Sequence, residues 1–430
     1  MSGAFPPERL AAALARGHRS TARVGIEVER FVLRPDGAAV PYGGSDGVAA
    51  LLAEAARLTG WDEKREGGHL LGLLAPDGAT LSLEPGAQFE WSSPPCAGLP
   101  ELARALENWE RIQDELGRRC GVRFAALGAH PSAAPDDLPP LPKARYAILE
   151  PWLRSRGDLG VHMMKCTSGV QVNLDHADEP EAMSKLRAAL QLAPVFNAMF
   201  ANSAVAAGRV TGFATWRGYI WTRTEPDRCG IPESLTRSGS RFADYVDFGL
   251  AAPMLFVERE DRLADWRGRS FAQEMRSGAA REEDWDLHLS TLFPEARFRP
   301  RLELRSADSV PTPLVLAFAA LARALFDRPG ALRAAEQFGA RWGHAQRLAA
   351  WHAAHRDGLA ARDPAGGRLL DTARALLTLA EPLPEERPFL EPLRALLDEG
   401  RSPGERVRER AEGAPERAVA LAVSAGCADG

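Results

Sequence analysis

The sequence has few cysteines, and none are paired. Its five, Cys96, Cys120, Cys166, Cys229 and Cys427, stand far apart with no Cys-x-x-Cys among them. That spacing excludes a disulfide framework and implies free thiols in a reducing, cytoplasmic setting. No run of about 18 or more consecutive apolar residues occurs, so no membrane-spanning helix is expected. The opening "MSGAFPPERLAAALARGHRS" has no long apolar stretch ending at a small-residue cleavage site, so no signal peptide is expected either. Excess positive charge is also missing. The net charge of −5 gives no global field that would draw in nucleic acid or an anionic membrane. Neither GxxxxGK[ST] nor a strand–GxGxxG–helix pattern is present, which excludes the two common glycine-rich phosphate cradles. There is no repeat of the solenoid kind.

What is present suits an ordinary globular chain. The 430 residues are 45% hydrophobic and 26% charged, enough to bury a sizeable core without staples. The first part mixes strand and helix signals. "VGIEVERFVL" alternates like a strand, and "GVAALLAEAARLTG" has helical spacing with a glycine stop. "GGHLLGLLAPDGATLSLEPG" looks like a hairpin around Pro-Asp-Gly. "LPELARALENWERIQDELGRRCG" is a long amphipathic helix ending at Gly121. "GFATWRGYIWTRTEPDRCG" is a strand or loop rich in aromatic and cationic groups. After about Pro311, Ala, Leu, Arg and Glu dominate and the pattern is helical. The expected fold is α+β: an antiparallel sheet backed by helices over residues 1–310, a helical region of the same unit over 311–415, and a weakly fixed tail over 416–430.

Four runs share one peculiarity. Side chains in a strand alternate sides with period two. In "GIEVER", Glu27 and Glu29 oppose Ile26 and Val28. In "LSLEPGAQFEW", Glu84, Gln88 and Glu90 share a side. In "SGVQVNLD", Gln171 and Asn173 oppose Val170, Val172 and Leu174. In "RLELRSAD", Glu303 and Arg305 oppose Leu302 and Leu304. A sheet with one solvated face would look similar. Outward charge that is mostly glutamate, in pairs two apart, is the unusual part. Such carboxylates repel, and a divalent cation relieves the repulsion; hard oxygen ligands suit Mg²⁺ or Mn²⁺. Mg²⁺ held by carboxylates commonly serves nucleotide phosphates, and the fork of Arg305 matches phosphate geometry. Among other chemistry-bearing groups, His69, His162 and His288 are scattered singly and read as core or surface. Cys166 reads as a small buried filler. Trp216, Tyr219 and Trp221 fit either adenine stacking or a core position.

"GIEVER", "LSLEPGAQFEWSSPP", "LPKARYAIL", "VQVNLD", "FANSAV", "WRGYIWTRTEPDRCG", "WDLHLSTLFPEARF" and "LELRSAD" occur in an order and spacing that resembles the glutamate–cysteine ligases of the plant and proteobacterial type. The resemblance runs strongly from about residue 20 to 310 and more faintly to about 410. It implies a glutamine-synthetase-like fold, with an antiparallel sheet curved into a funnel and helices behind it. It implies an ATP- and Mg²⁺-dependent ligase of glutathione biosynthesis that forms a γ-glutamyl amide through γ-glutamyl phosphate. Its substrates would be ATP, glutamate, and cysteine or another amine, and its state monomer or homodimer. By the same resemblance, Glu27, Glu29, Glu84, Glu90, Gln171 and Glu303 would face metal. Arg305, Gln171 and Asn173 would face the nucleotide. Arg217, Arg305 and Glu303 would act in catalysis, with Arg145 and Arg217 holding substrate. Departures from the family pattern fall at Ala87, Trp91 and Ser93, and at Cys166 and Leu255. The last two mark the expected amine-substrate side.

Overall fold

Alternation places Val24, Ile26 and Val28 on the buried side of one strand, each 1% exposed, and the two glutamates on the other. The same division recurs along a sheet of nine strands among the described residues. The computed structural model describes residues 5–19, 21–260 and 262–427. Its strands are β1 (Val24–Leu33), β2 (Asp62–Glu66), β3 (His69–Leu74), β4 (Thr80–Leu83), β5 (Phe89–Ser92), β6 (Arg123–Ala125), β7 (Gly169–Leu174), β8 (Ala296–Arg299) and β9 (Arg301–Asp308). They run in the order β8-β9-β7-β1-β5-β4-β3-β2, with β6 added alongside the end of β1. Every pairing is antiparallel, as expected.

The apolar face is closed by helices whose sequences are apolar almost all round, the signature of a buried helix. Glu179–Met199 is buried along most of its length, and so is Thr312–Phe326. Side chains such as Phe196, Phe318 and Phe326 meet edge to face between them. Each such ring contributes roughly 2–3 kcal/mol by burial. On the other half of the sheet, Trp91 stacks on Trp109 at 6.3 Å and 4°, and Trp109 on Trp61 at 6.1 Å. The helix Leu99–Cys120 is fixed to the back of β5 in this way. It ends at Gly121, whose φ of 65° suits glycine, as the sequence pattern predicts. No described helix is long and apolar enough to cross a membrane.

One core runs from Leu10 to Leu397, so the helices between Thr312 and Leu397 share their core with the sheet. The expected loose tail is corrected. Ala418–Gly426 is a helix whose Ala418, Ala422 and Val423 pack with Phe31, Leu33 and Leu127. Small residues at helical spacing let it lie close against the far end of β1. Residues 428–430 lie outside the described residues.

The β4–β5 hairpin turns through Glu84–Ala87, closed by Ala87 N–H donating to Glu84 O at 2.7 Å. A Cβ on Gly86 would stand 2.0 Å from the Lys165 carbonyl oxygen, so only glycine fits. Ala87 has φ 65°, where a non-glycine residue is strained by about 1–2 kcal/mol. Ala87→Gly is therefore expected to stabilise the fold by roughly 0.5–1 kcal/mol, strain relief less the added freedom of the unfolded chain. Thermal denaturation should show a higher Tm than the parent; an equal or lower one would place the strain elsewhere.

Candidate active site

The polar face of the sheet forms the floor of a cavity of about 170 Å³. Glu27, Glu29, Glu84 and Glu90 line one part of it, and Arg145, Arg217, Arg297, Arg299 and Arg305 another. Leu149, Leu153, Met163, Met164, Trp221 and Phe293 supply its apolar walls.

On the acidic side, the β1–β5 register sets Glu29 directly opposite Glu90. Like charges opposed in this way destabilise a sheet. Neutral donors offset part of the cost. Glu29 accepts from Gln171 Nε2 and from the Gly169 amide, both at 2.7 Å. Glu90 accepts from Ser82 Oγ at 3.0 Å, and Glu27 from Asn173 Nδ2 at 3.0 Å. The donors do not suffice. Burial, with the charge of Glu84 added, pushes Glu29 up to about 7. Burial and the charges of Glu84, Glu27 and Glu29 push Glu90 well above the carboxylate range. Burial and Glu303 raise Glu27. Gln171 is 3% exposed, and its Oε1 has no hydrogen-bond partner among the described residues. An orphaned carboxamide oxygen beside crowded carboxylates fits a hard divalent cation. Among the described residues no three acidic, histidine or cysteine groups are already drawn together as a metal cage, so the carboxylates share a cavity without closing on a point.

On the basic side, Glu303, expected as a metal carboxylate, is held between two arginines. Arg297 is its direct partner across β8–β9. Arg297 Nη2 and Nε reach its two oxygens at 2.9 and 3.0 Å, and Arg305 Nη1 pairs with it as well. Burial opposes ionisation of Glu303, but the two guanidinium groups prevail and hold it down at about 2. Glu303 thus arranges arginines. A register shift between Leu304 and Ala307 marks a bulge that re-aims Arg305. Its guanidinium lies 5.8 Å from the Trp221 ring centre and 5.9 Å from that of Phe293.

Arg217 comes from a short helix, Trp216–Thr222, where the sequence suggested a strand or loop. Thr215 caps it, its hydroxyl accepting from the Gly218 amide. That hydroxyl donates to Asp308, which also accepts from Ser203 Oγ and the Asn202 amide. Asp308 lies 3.8 Å from Arg217 Nη1, and Arg217 Nη2 donates to the Arg305 carbonyl at 3.1 Å. A Cβ on Gly169 would stand 2.7 Å from Arg217 Nη2, so the bare glycine both admits Arg217 and serves Glu29 with its amide. Arg145 lies over the Phe256 ring at 5.6 Å, and its Nε has no acceptor among the described residues.

Four expected site residues do not line this cavity: Glu303, behind its arginines, and Leu255, Cys166 and Asn173. Leu255 is 1% exposed in the core, and it is the next residue, Phe256, whose ring lies beneath Arg145. Cys166 is buried in a small apolar cluster with Ala133 and Leu138, and burial pushes its thiol up to about 12. Asn173 lines an adjoining cavity with Glu27, Arg299 and Arg301. Gln88, 1% exposed, ties the hairpin turn to the Lys165 and Thr167 carbonyls. Of the aromatic trio, only Trp221 lines the cavity, while Trp216 and Tyr219 stack on each other at 5.0 Å. His288 is buried on the Gly249 carbonyl. Sequence reasoning missed Arg297, Arg299, Gly169 and Asp308. The first two were detectable, since "ARFR" alternates just before "PRLELRSAD".

The model of glutamate–cysteine ligase family 2 matches residues 23–421. Chloroplastic glutamate–cysteine ligase of Arabidopsis thaliana is 34% identical over 354 residues, 79% of this chain and 66% of its own. That of Brassica juncea is 35% identical over 318 residues, 71% of this chain and 60% of its own. The chain therefore spans about three fifths to two thirds of these relatives' length. Among solved structures, glutamate–cysteine ligase of Francisella tularensis in complex with AMP aligns with a TM-score of 0.57 at 12% identity, over 95% of this chain and 89% of that one. These relatives overturn the cytoplasmic expectation, because they are named as chloroplastic proteins. The physical reason is that unpaired cysteines report a reducing environment and not one compartment.

Because Glu29 titrates near 7 in the fold and near 4.5 when unfolded, the folded state holds the extra proton between those values. Stability then falls as pH rises through that window. Mg²⁺ should restore it. The Mg²⁺-induced rise in Tm is expected to be larger at pH 8 than at pH 6, by roughly 2–5 °C, and Glu29→Gln should flatten the difference. A Mg²⁺ effect independent of pH would count against carboxylate binding. Gly169→Ala should displace Arg217 and cost about 1–3 kcal/mol by overpacking, read from a urea midpoint.

Proposed function

Because the chain belongs to glutamate–cysteine ligase family 2, we propose that this cavity joins glutamate to cysteine with cleavage of ATP, releasing γ-glutamylcysteine, ADP and phosphate. The observation that carries this reading is the division of one cavity into a carboxylate part and a guanidinium part. In the first step, a γ-carboxylate oxygen of glutamate attacks the γ-phosphorus and the bond to ADP breaks. In the second, the cysteine amine attacks the acyl carbon, phosphate leaves with the C–O bonding pair, and the amine proton passes to solvent. Such chemistry asks the protein mainly for positioning and charge stabilisation.

The residues divide accordingly. Arg217, Arg297 and Arg305 face the transferring phosphoryl group, whose charge their forks match. Glu303 and Asp308 hold those arginines in place. Arg145, which lines the cavity, holds a substrate carboxylate. Glu27, Glu29, Glu84, Glu90 and the Gln171 oxygen would hold Mg²⁺ or Mn²⁺. That ion, when bound, neutralises phosphate charge. Trp221 offers a flat apolar surface beside Arg305. Met163, Met164, Leu149 and Leu153 present no charge to the acceptor side chain, which supports a small thiol. The departures at Leu255 and Cys166 lie in the core, so they no longer favour a different amine.

Purified protein with ATP, Mg²⁺, glutamate and cysteine is expected to release ADP and γ-glutamylcysteine in equal amounts, measured by chromatography. Glu27→Gln and Arg305→Gln should each lower kcat by about 100-fold or more. An unchanged turnover in Glu27→Gln would sink the carboxylate assignment. Absence of cysteine-dependent ADP release would sink the activity.

A further inference from the structure

Glu295 stands just before β8 and does not line the cavity, yet it meets the backbone of Arg305. Its carboxylate is buried, and among the described residues no ion pair reaches it. Both oxygens accept from neutral donors instead: Oε1 from Trp351 Nε1 and Oε2 from Asn197 Nδ2, each at 3.0 Å. Asn197 belongs to the helix Glu179–Met199, and Trp351 to the helix His344–Asp357 packed on it. In the main chain, the Glu295 N–H donates to the Gly230 carbonyl, and the Glu295 carbonyl accepts from the Arg305 N–H, both at 2.9 Å. The pairing of β9 with β7 shifts register between Leu304 and Ala307, so Arg305 lies where the regular ladder lapses. There the Glu295 carbonyl takes its N–H, and Arg217 Nη2 donates to its carbonyl at 3.1 Å.

The helix His344–Asp357 reaches Arg217 as well. The His355 carbonyl accepts from the Ala214 and Thr215 N–H groups at 3.0 Å, at the start of the helix that bears Arg217. The buried His355 ring stands edge-on to Trp351 at 4.7 Å and lies against Gly218, where a Cβ would be 2.4 Å from it. Glycine at 218 thus admits the outer helix on one side of Arg217, as Gly169 admits Arg217 itself on the other.

A buried carboxylate without a cation on it is costly, and an uncharged residue of the same shape would pack there at less cost. The guanidinium that answers the charge of Glu295 is that of Arg217. We propose that Glu295 and Trp351 are positioning residues: Trp351 fixes the Glu295 carboxylate, and Glu295 fixes the main chain at Arg305 and steadies the charge of Arg217. Neither lines the cavity, so both act only through those two arginines. The proposal rests on the reading that Arg217 and Arg305 face the transferring phosphoryl group. It makes the helix His344–Asp357 a working part of the site.

Trp351→Phe keeps a ring in place and removes the N–H, while Glu295→Gln keeps the shape and removes the charge. In the full chain, each is expected to lower kcat about tenfold while the KM for cysteine stays within about twofold. In an Arg217→Lys background, Glu295→Gln should cost less than about twofold, because its effect passes through the guanidinium already removed. Calorimetric affinity for the Mg²⁺ complex of the β,γ-imido analogue of ATP should follow the same pattern, weakened several-fold by each single change and not further in the Arg217→Lys background. Trp351→Phe, the milder change, decides the matter if Glu295→Gln does not fold. A parent that binds the analogue but forms no γ-glutamylcysteine would defeat the reading of the reaction, and the affinities would then decide the positioning roles. No affinity of the parent for the analogue, or kcat and affinity unchanged in folded Trp351→Phe even with a lower Tm, would overturn the proposal. So would a Glu295→Gln penalty equal in both backgrounds.

Discussion

The constraint on which the rest of the site depends is the opposition of Glu29 and Glu90 across two hydrogen-bonded strands. With Glu27 and Glu84 beside them, they gather more negative charge than a buried sheet face holds unaided. Much of the surrounding architecture answers that repulsion. Gln171, Asn173, Ser82 and the Gly169 amide each turn a donor toward one of the carboxylates. What remains uncompensated is expressed as raised proton affinity, which is a demand for a cation. A face arranged for stability alone would not retain that excess.

The basic side is built by the opposite means. Guanidinium groups 5–6 Å from aromatic faces, with a buried carboxylate between two of them, stay charged and stay in place. Glu303 contributes to the site by fixing Arg297 and Arg305, and Asp308 does the same for Arg217 through a hydrogen-bonded set of Thr215, Ser203 and Asn202. The bulge before Ala307 supplies the local freedom that strand regularity denies. Acidic and basic parts thus share one cavity, and among the described residues no ion pair joins its four glutamates to its arginines, because each part has its own local partners.

Legibility in the sequence followed the range of the cause. Glu27, Glu29, Glu90, Gln171 and Arg305 were legible because period two is a local property of a strand. Helix ends such as Gly121 were legible for the same reason. Leu255 and Cys166 were misplaced because position in a motif does not tell which residues the core takes and which meet the cavity. The helix bearing Arg217 was missed because its cap, Thr215, is set by Asp308, 93 residues away in sequence. The final helix was underrated because its small residues become a packing surface only when Phe31 and Leu33 lie beneath them.

By itself the sequence determined the two-faced strands, the burial of the helices that cover them and the excess of carboxylates, since alternation and apolar content act residue by residue. Only the tertiary structure decided which charges meet. Strand register put Glu29 against Glu90 and Arg297 against Glu303. The close approach at Gly169 let Arg217 in beside Glu29. Coulomb energy depends on separation and burial, and both are fixed by how distant segments pair.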